Sequence, residues 1–365
     1  MNKFNKKIVV IGAGPSGLAF SLYLAKNYPE LLKNFVVLEK DKFPREKLCG
    51  GMITPEGVKT LNSLGFYDLP FDKYSEVSFQ FANKKVLYKS RNYGIIADRM
   101  DFDYWLFTQA KKAGVNIIDN CKVINISEIN IVWNIETTCG NFQSDYIVGA
   151  DGVKGITSKI IAKKGRIVPL TIEKKSFTGK NELLFDFSVL EEGIKGYFWS
   201  FVANGTVNRG IYSSVKSGID RKYKYGSAEH LYEFGNPLWK DGLLLVGERI
   251  GVDPLLGEGI APAFGTGVLA AKEIVSAIKS NSRNFSYYDS AFYSSFTGRK
   301  LRFNSIVAKR LYGVHSLYWA SLLTENKMFR YFVEKYGSYG ELNQHPLEIS
   351  LAVLYQFYRF GLPKS

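Results

Sequence analysis

Lys7-Ile8-Val9-Val10-Ile11-Gly12-Ala13-Gly14-Pro15-Ser16-Gly17-Leu18-Ala19-Phe20 is the stretch whose reading decides the fold. The run before Gly12 is short, apolar and β-branched, the pattern of a strand buried within a parallel sheet. Beyond Gly17, Leu18 to Ala25 reads as a helix. Phe35-Val36-Val37-Leu38 is then a second buried strand, ending at Glu39. Gly12 permits a tight turn, Gly14 lets the backbone approach a pyrophosphate, and Gly17 lets the helix pack close on the strand. The free N–H groups of the helix start, where Pro15 and Ser16 sit, face that pyrophosphate. Glu39, 22 positions after Gly17, is placed to accept hydrogen bonds from a ribose hydroxyl pair. The chain therefore opens as a Rossmann-like unit for a dinucleotide.

Outward from this unit the pattern continues. Phe43-Pro44-Arg45-Glu46-Lys47-Leu48-Cys49-Gly50-Gly51 is too charged and glycine-rich for a buried element and reads as a loop. A helix is predicted from Asp98 to about Ala113, with Arg99 at its start as either a contact to a phosphate or flavin edge or a solvated charge. Val115–Asp119 and Val123–Ile126 read as strands. Ile131–Glu136 and Phe142–Val148 form a hairpin about Cys139-Gly140-Asn141, ending in Gly149-Ala150-Asp151-Gly152. Near the far end, Gly242 to Val246 is another buried strand, followed by Gly247-Glu248, then Asp253-Pro254-Leu255-Leu256-Gly257-Glu258-Gly259-Ile260 and a small-residue helix to about Ala277. Strand, acid, glycine turn and helix make a second cradle for the same ligand. Its acid would hold a polyol, and its helix start would face an electron-rich part of the ligand.

Composition sets the outer limits. At 365 residues, 46% hydrophobic and 22% charged, the chain is long enough for two lobes and too apolar for disorder. No uninterrupted apolar run reaches the roughly 18 residues of a spanning helix. The first seven residues lack the apolar stretch of a secretory signal, so a cytoplasmic location is expected. A net charge of +14 suits nucleic acid, phosphorylated ligands or an anionic membrane face, or serves solubility alone. Three widely spaced cysteines, Cys49, Cys121 and Cys139, without a CxxC pair, predict neither structural zinc nor a disulfide framework. His230, His315 and His345 are too far apart in sequence for a recognisable metal motif.

The order of these motifs resembles the FAD-dependent oxidoreductases of the aromatic hydroxylase fold. Within them, Lys47-Leu48-Cys49-Gly50-Gly51 and Gly196-Tyr197-Phe198-Trp199-Ser200-Phe201 are similar to motifs of the geranylgeranyl reductase family. The resemblance spans about residues 7 to 280. It implies an α/β protein, α+β overall: a Rossmann-like FAD-binding domain, an inserted antiparallel-sheet substrate domain and C-terminal helices. The corresponding ranges are 1–156 with 236–282, then 157–235, then 283–365. It also implies non-covalent FAD, contacted by Gly12, Gly14, Pro15, Ser16, Gly17, Glu39, Lys40, Arg45, Arg99, Val123, Asp151, Gly259 and Ile260, with Cys49 and Gly50 beside the isoalloxazine. Cys49 is either an inert thiol or a residue touching the reactive flavin edge. Two departures stand out. The family's Gly-Asp reads Gly247-Glu248, so either Glu248 or Asp253 is the acid on the flavin side chain. The family's proline after the aromatic motif is Val202.

In the predicted substrate lobe, Glu182–Phe187 and Tyr197–Phe201 alternate as strands, and Asn208–Tyr212 returns after the turn signal at 204–205. Tyr197, Trp199 and Phe201 share one face, as core or as a substrate wall. From Tyr287 on, aromatics interleave with Lys and Arg in helical spacing, ending in an amphipathic stretch from Pro346 to Phe360. These helices cap the lobe or rest on an anionic lipid surface; no nucleic-acid fold signature accompanies them. The resemblance implies reduction of carbon–carbon double bonds in an isoprenoid or other apolar compound. Alternatives are hydroxylation of an aromatic or polyketide-like substrate and electron relay to a partner. A monomer is expected, with a hydrophobic or lipid substrate and an electron donor that one visible fingerprint does not name.

Overall fold

The computed structural model describes residues 3–161, 165–203, 205–215 and 225–325. Its first sheet is built on the opening strand. Lys3–Ile11 runs parallel to Phe35–Leu38 on one side and to Gly140–Gly149 on the other, and Leu243–Leu245 extends the parallel array. Ile8, Val9 and Val10 are fully buried, as a strand covered on both faces requires. Helices Pro15–Asn27 and Ile260–Lys279 cover one face. They approach so closely that a Cβ on Gly267 would lie 2.3 Å from the Ser16 carbonyl. The 20-residue helix Ile260–Lys279 has the length and hydropathy of a membrane span, but it is packed here as a core element.

The predicted strand Val115–Asp119 contracts to Ile117–Ile118. The Val115 N–H closes the preceding helix on the Ala110 carbonyl, and Asn120, at φ +53°, turns the chain away. The hairpin after it forms as expected, Val123–Ile129 against Val132–Thr137 and then Gly140–Gly149. The same hairpin corrects the reading of the cysteines. Cys121 and Cys139 flank its paired open end, their Cα atoms 5.3 Å apart, and are joined in a disulfide. A separation of 18 residues carries no signal of that pairing, which depends on strand register.

The second sheet holds eight strands and extends beyond residues 157–235. Met52–Ile53, Asp72–Phe81 and Lys84–Ile96 all belong to it, although the sequence reading places them with the FAD-binding part. Asp72–Phe81 joins by pairing parallel to Glu182–Asp186, Ser78 opposite Leu184. Such pairing over about a hundred residues leaves no local pattern. Gly196–Ala203 and Thr206–Ser213 form the expected hairpin, with Tyr197 opposite Tyr212. Tyr197, Trp199 and Phe201 are all buried on one face.

Among the described residues, three helices follow: Ser286–Ser294, Phe296–Leu311 and Ser316–Glu325. The last packs on the Asp72–Ile96 hairpin, where the Tyr88 hydroxyl donates to the Leu323 carbonyl at 2.6 Å. The predicted basic and aromatic run Phe329–Phe332 and the stretch from Pro346 to Phe360 lie outside the described residues.

Candidate active site

The first cradle is shaped by what its glycines exclude. Gly12 has φ +107°, and a Cβ there would sit 2.3 Å from the Ala150 carbonyl oxygen; a Cβ on Gly17 would sit 2.0 Å from the Gly12 carbonyl oxygen. These two positions are closed by the fold itself. Gly14 differs, because the nearest atom to its Cβ position is Arg45 Nη2 at 3.8 Å. Its open side faces a cationic side chain. Arg45 lies over the Phe43 ring at 5.0 Å and pairs with Asp103 at 3.3 Å, yet its buried Nε has no hydrogen-bond partner. That Nε faces Glu39 Oε1 at 3.8 Å, beyond hydrogen-bond reach. An open glycine, a guanidinium with an unfilled N–H and the helix start at Pro15 and Ser16 together fit a pyrophosphate.

Glu39 is buried beside this turn. Its Oε2 accepts from the Ala13 N–H at 2.8 Å and its Oε1 from the Asp41 N–H at 3.1 Å. The carboxylate thus orders the turn. Glu39→Ala should weaken FAD binding by about 1–3 kcal/mol, and Glu39→Gln by less, when affinity is measured by flavin fluorescence titration. Equal affinity in all three proteins would remove Glu39 from the ribose. Val123 begins its strand just beyond Cys121, whose N–H donates to the Glu39 carbonyl at 2.8 Å. Lys40 is not brought in: it points outward, half exposed, toward Asp41.

Arg99 is not a solvated charge. It is buried and makes a two-point pair with Asp103, Nε to Oδ1 at 2.7 Å and Nη2 to Oδ2 at 2.8 Å. Burial opposes its charge, but Asp103 and the neighbouring Cys49 sulfur hold it, so its pKa lies above the usual arginine range. Asp103 receives both Arg45 and Arg99 and was missed by the sequence reading; its signal was the helical spacing from Arg99. Asp151 turns inward. Its carboxylate accepts from the Ile156 N–H at 2.6 Å and from the Thr157 N–H and hydroxyl at 3.0 and 2.6 Å. It holds its own loop rather than presenting a free face to a ligand.

The second cradle separates the two candidate acids. Asp253 is almost fully buried, accepting from the Leu255 N–H at 2.8 Å, the Leu256 N–H at 3.3 Å and Asn304 Nδ2 at 3.0 Å; burial pushes its pKa up to about 6. Its oxygens are committed to its own turn and a neighbouring helix. Glu248 is only partly buried, with the Val153 N–H at 3.3 Å, Lys47 Nζ at 3.8 Å and the bare side of Gly152 at 3.4 Å. Gly259 and Ile260 open the long helix, whose first-turn N–H groups have no intrahelical acceptors. Glu258, between these glycines, is held by Thr54 and by Lys300 Nζ at 2.6 Å; Lys300 also reaches Glu56 at 2.9 Å. Lys300 lies in a basic run of the sequence, yet it is a buried cation beneath the glycine turn.

The aromatic face joins the two cradles. Trp199 Nε1 donates to Asn208 Oδ1 at 3.1 Å, and Asn208 Nδ2 donates to the Cys49 carbonyl at 2.8 Å. A Cβ on Gly50 would lie 3.0 Å from the Phe201 ring. Three hydroxyls hold three successive carbonyls of the second turn: Tyr212 on Pro254 at 2.6 Å, Tyr312 on Leu255 at 2.6 Å and Tyr197 on Leu256 at 2.5 Å. Tyr212 and Tyr312 were not anticipated as site residues, since nothing local in sequence links them to residues 254–256. The Cys49 loop and the second glycine turn are thus both tied to one buried aromatic sheet face.

No family model matches the chain. It is 30% identical over 308 residues to an uncharacterised protein of Methanosarcina barkeri, covering 77% of this chain and 76% of that one. It is 26% identical over 322 residues to the digeranylgeranylglycerophospholipid reductase of Methanocaldococcus jannaschii, covering 75% and 78%. Among solved structures, a geranylgeranyl bacteriochlorophyll reductase-like protein from Thermoplasma acidophilum superposes with a TM-score of 0.76 at 19% identity, over 98% of both chains. A halogenase in complex with FAD superposes with a TM-score of 0.69 at 14% identity, over 98% of this chain and 92% of that one. With these relatives, and with the motifs that its fold brings together, the chain belongs to the geranylgeranyl reductase family of FAD-dependent oxidoreductases.

Proposed function

We propose that the protein binds FAD non-covalently and reduces carbon–carbon double bonds of an isoprenoid chain or similar apolar lipid. The observation that carries this reading is the aromatic face of Tyr197, Trp199 and Phe201, tied by hydrogen bonds to the Cys49 loop and to the 254–256 turn. Gly14 and Arg45 would hold the pyrophosphate, Glu39 the ribose and Glu248 the flavin's polyol chain. When reduced, FAD supplies the hydride. The chain's own part is to orient a hydrophobic substrate and keep water out, and buried aromatic rings suit both tasks. The reductase named among its relatives supports a lipid substrate. In this reading the protein works in the cytoplasm against an anionic membrane face, which its charge of +14 favours.

The experiment is anaerobic. Flavin reduced in the protein should be reoxidised by prenyl lipids, with saturation of their double bonds read by mass spectrometry. Reoxidation that requires oxygen and yields a hydroxylated product would replace the reductase reading with the monooxygenase one. Trp199→Phe should keep FAD bound and cost about 1–3 kcal/mol of stability, since a buried ring shrinks and Asn208 Oδ1 loses its donor. It should slow reoxidation by about tenfold, because Asn208 loses the indole N–H that orients it toward the Cys49 carbonyl. Unchanged reoxidation in this variant would leave the indole with a packing role alone.

A further inference from the structure

Among the described residues, two carboxylates keep an oxygen sealed from solvent without a hydrogen-bond partner: Glu229 and Asp289. Asp289 lies on the outer helix Ser286–Ser294, and its other oxygen accepts from Trp239 at 3.2 Å. Glu229 lies against the second glycine turn. It stands on the strand Tyr225–His230, opposite Val168, one residue before the chain crosses toward Val252 and the second glycine turn. A Cβ on Gly257 would lie 3.2 Å from Glu229 Oε2 and 3.1 Å from the Tyr212 ring. The free oxygen therefore stands where the second cradle meets the aromatic face.

From this placement we infer that Glu229 is the acid that delivers the proton during double-bond reduction. The inference rests on the reductase reading given above. Its neighbours account for the protonated state. Burial and then the nearby Glu248 raise its pKa to about 8, with Asp253 adding to the effect, while Lys47 and Arg99 oppose it. Tyr197 and Tyr212 face it from the sheet, and burial keeps both of them neutral by raising their pKa well above the usual tyrosine value. Asp253 accepts hydrogen bonds from the Leu255 and Leu256 N–H groups, and the Leu255 bond opposes the rise in its pKa that burial causes. Glu229 has no such donor on Oε2 and holds a proton at neutral pH. In the reaction the π bond of the alkene breaks. One carbon takes the carboxyl proton, and the other takes hydride, with its electron pair, from the reduced flavin. Glu229 is left as a carboxylate and regains its proton from water.

Two measurements test this. In the apoprotein, the infrared difference between parent and Glu229→Gln should contain the carbonyl band of a protonated carboxyl at neutral pH, lost as pH rises through about 8. In the reduced holoprotein, Glu229→Gln should slow anaerobic reoxidation by an isoprenoid alcohol at least about a hundredfold, the scale of a lost general acid. FAD affinity and chemical reduction by dithionite should match the parent. The parent's rate should fall as pH passes through about 8, while the residual rate of the variant stays flat. An absent infrared band, or a variant that reduces the alcohol at the parent's rate, overturns the assignment of Glu229 alone. A parent that shows the band yet reduces no isoprenoid overturns the substrate reading and the proton's destination with it.

Discussion

Gly14→Val should give a protein that folds as the parent does and binds FAD at least about a hundredfold more weakly, a loss of about 3 kcal/mol. Gly14 has φ −80° and ψ −177°, extended backbone open to any residue. Its Cβ position touches nothing in the chain closer than Arg45 Nη2 at 3.8 Å, so the protein itself gains no clash. Only a pyrophosphate drawn to that open face would meet the added methyl groups. Gly12→Ala is the contrasting variant. Its Cβ would collide with the Ala150 backbone at a φ of +107°, so it should lose the fold along with the cofactor. A thermal melt beside a flavin titration separates the two. Parent-like FAD affinity in folded Gly14→Val would remove the pyrophosphate from this turn.

Lys300→Met should cost about 3–5 kcal/mol of stability, because it leaves Glu56 and Glu258 buried side by side without their counter-charge. Urea unfolding measures it. The pH dependence has a definite sign. Burial already raises the Glu56 pKa, and Lys300 is the main group lowering it again. Without Lys300 the folded-state pKa of Glu56 rises further above its unfolded value. Stability carried by that protonated carboxyl is full below the unfolded pKa and is lost as pH rises through the folded one. The deficit of Lys300→Met should therefore be largest near neutral pH and shrink as pH falls toward about 4. A deficit independent of pH would mean that the Lys300 chain contributes packing alone. FAD binding should weaken as well, since Lys300 fixes Glu258 between Gly257 and Gly259.

The opening cradle was legible because its physics is local. A buried strand, three spaced glycines and an acid at the next strand's end each constrain the backbone within a few residues, and Gly12, Gly17 and Glu39 are placed accordingly. The alternation of Tyr197, Trp199 and Phe201 likewise follows from strand geometry, and the three share a buried face. Sequence by itself thus determined the Rossmann-like start, the second glycine turn and the aromatic strand.

Tertiary structure alone decided what depends on distant partners. Residues 52–96 join the second sheet through a parallel pairing between Ser78 and Leu184. Register brings Cys121 to Cys139 across a hairpin. In sequence Lys300 is one of several Lys and Arg residues interleaved with aromatics, and only its burial beside two carboxylates sets it apart. Asp253 and Glu248 look equivalent in sequence, and only the hydrogen bonds around Asp253 separate them. The same holds for Glu229, whose character comes from the Tyr212 ring and the bare face of Gly257. The physical reason is common to all of these. Backbone conformation is set by neighbours along the chain, whereas burial, pairing and proton affinity are set by neighbours in space.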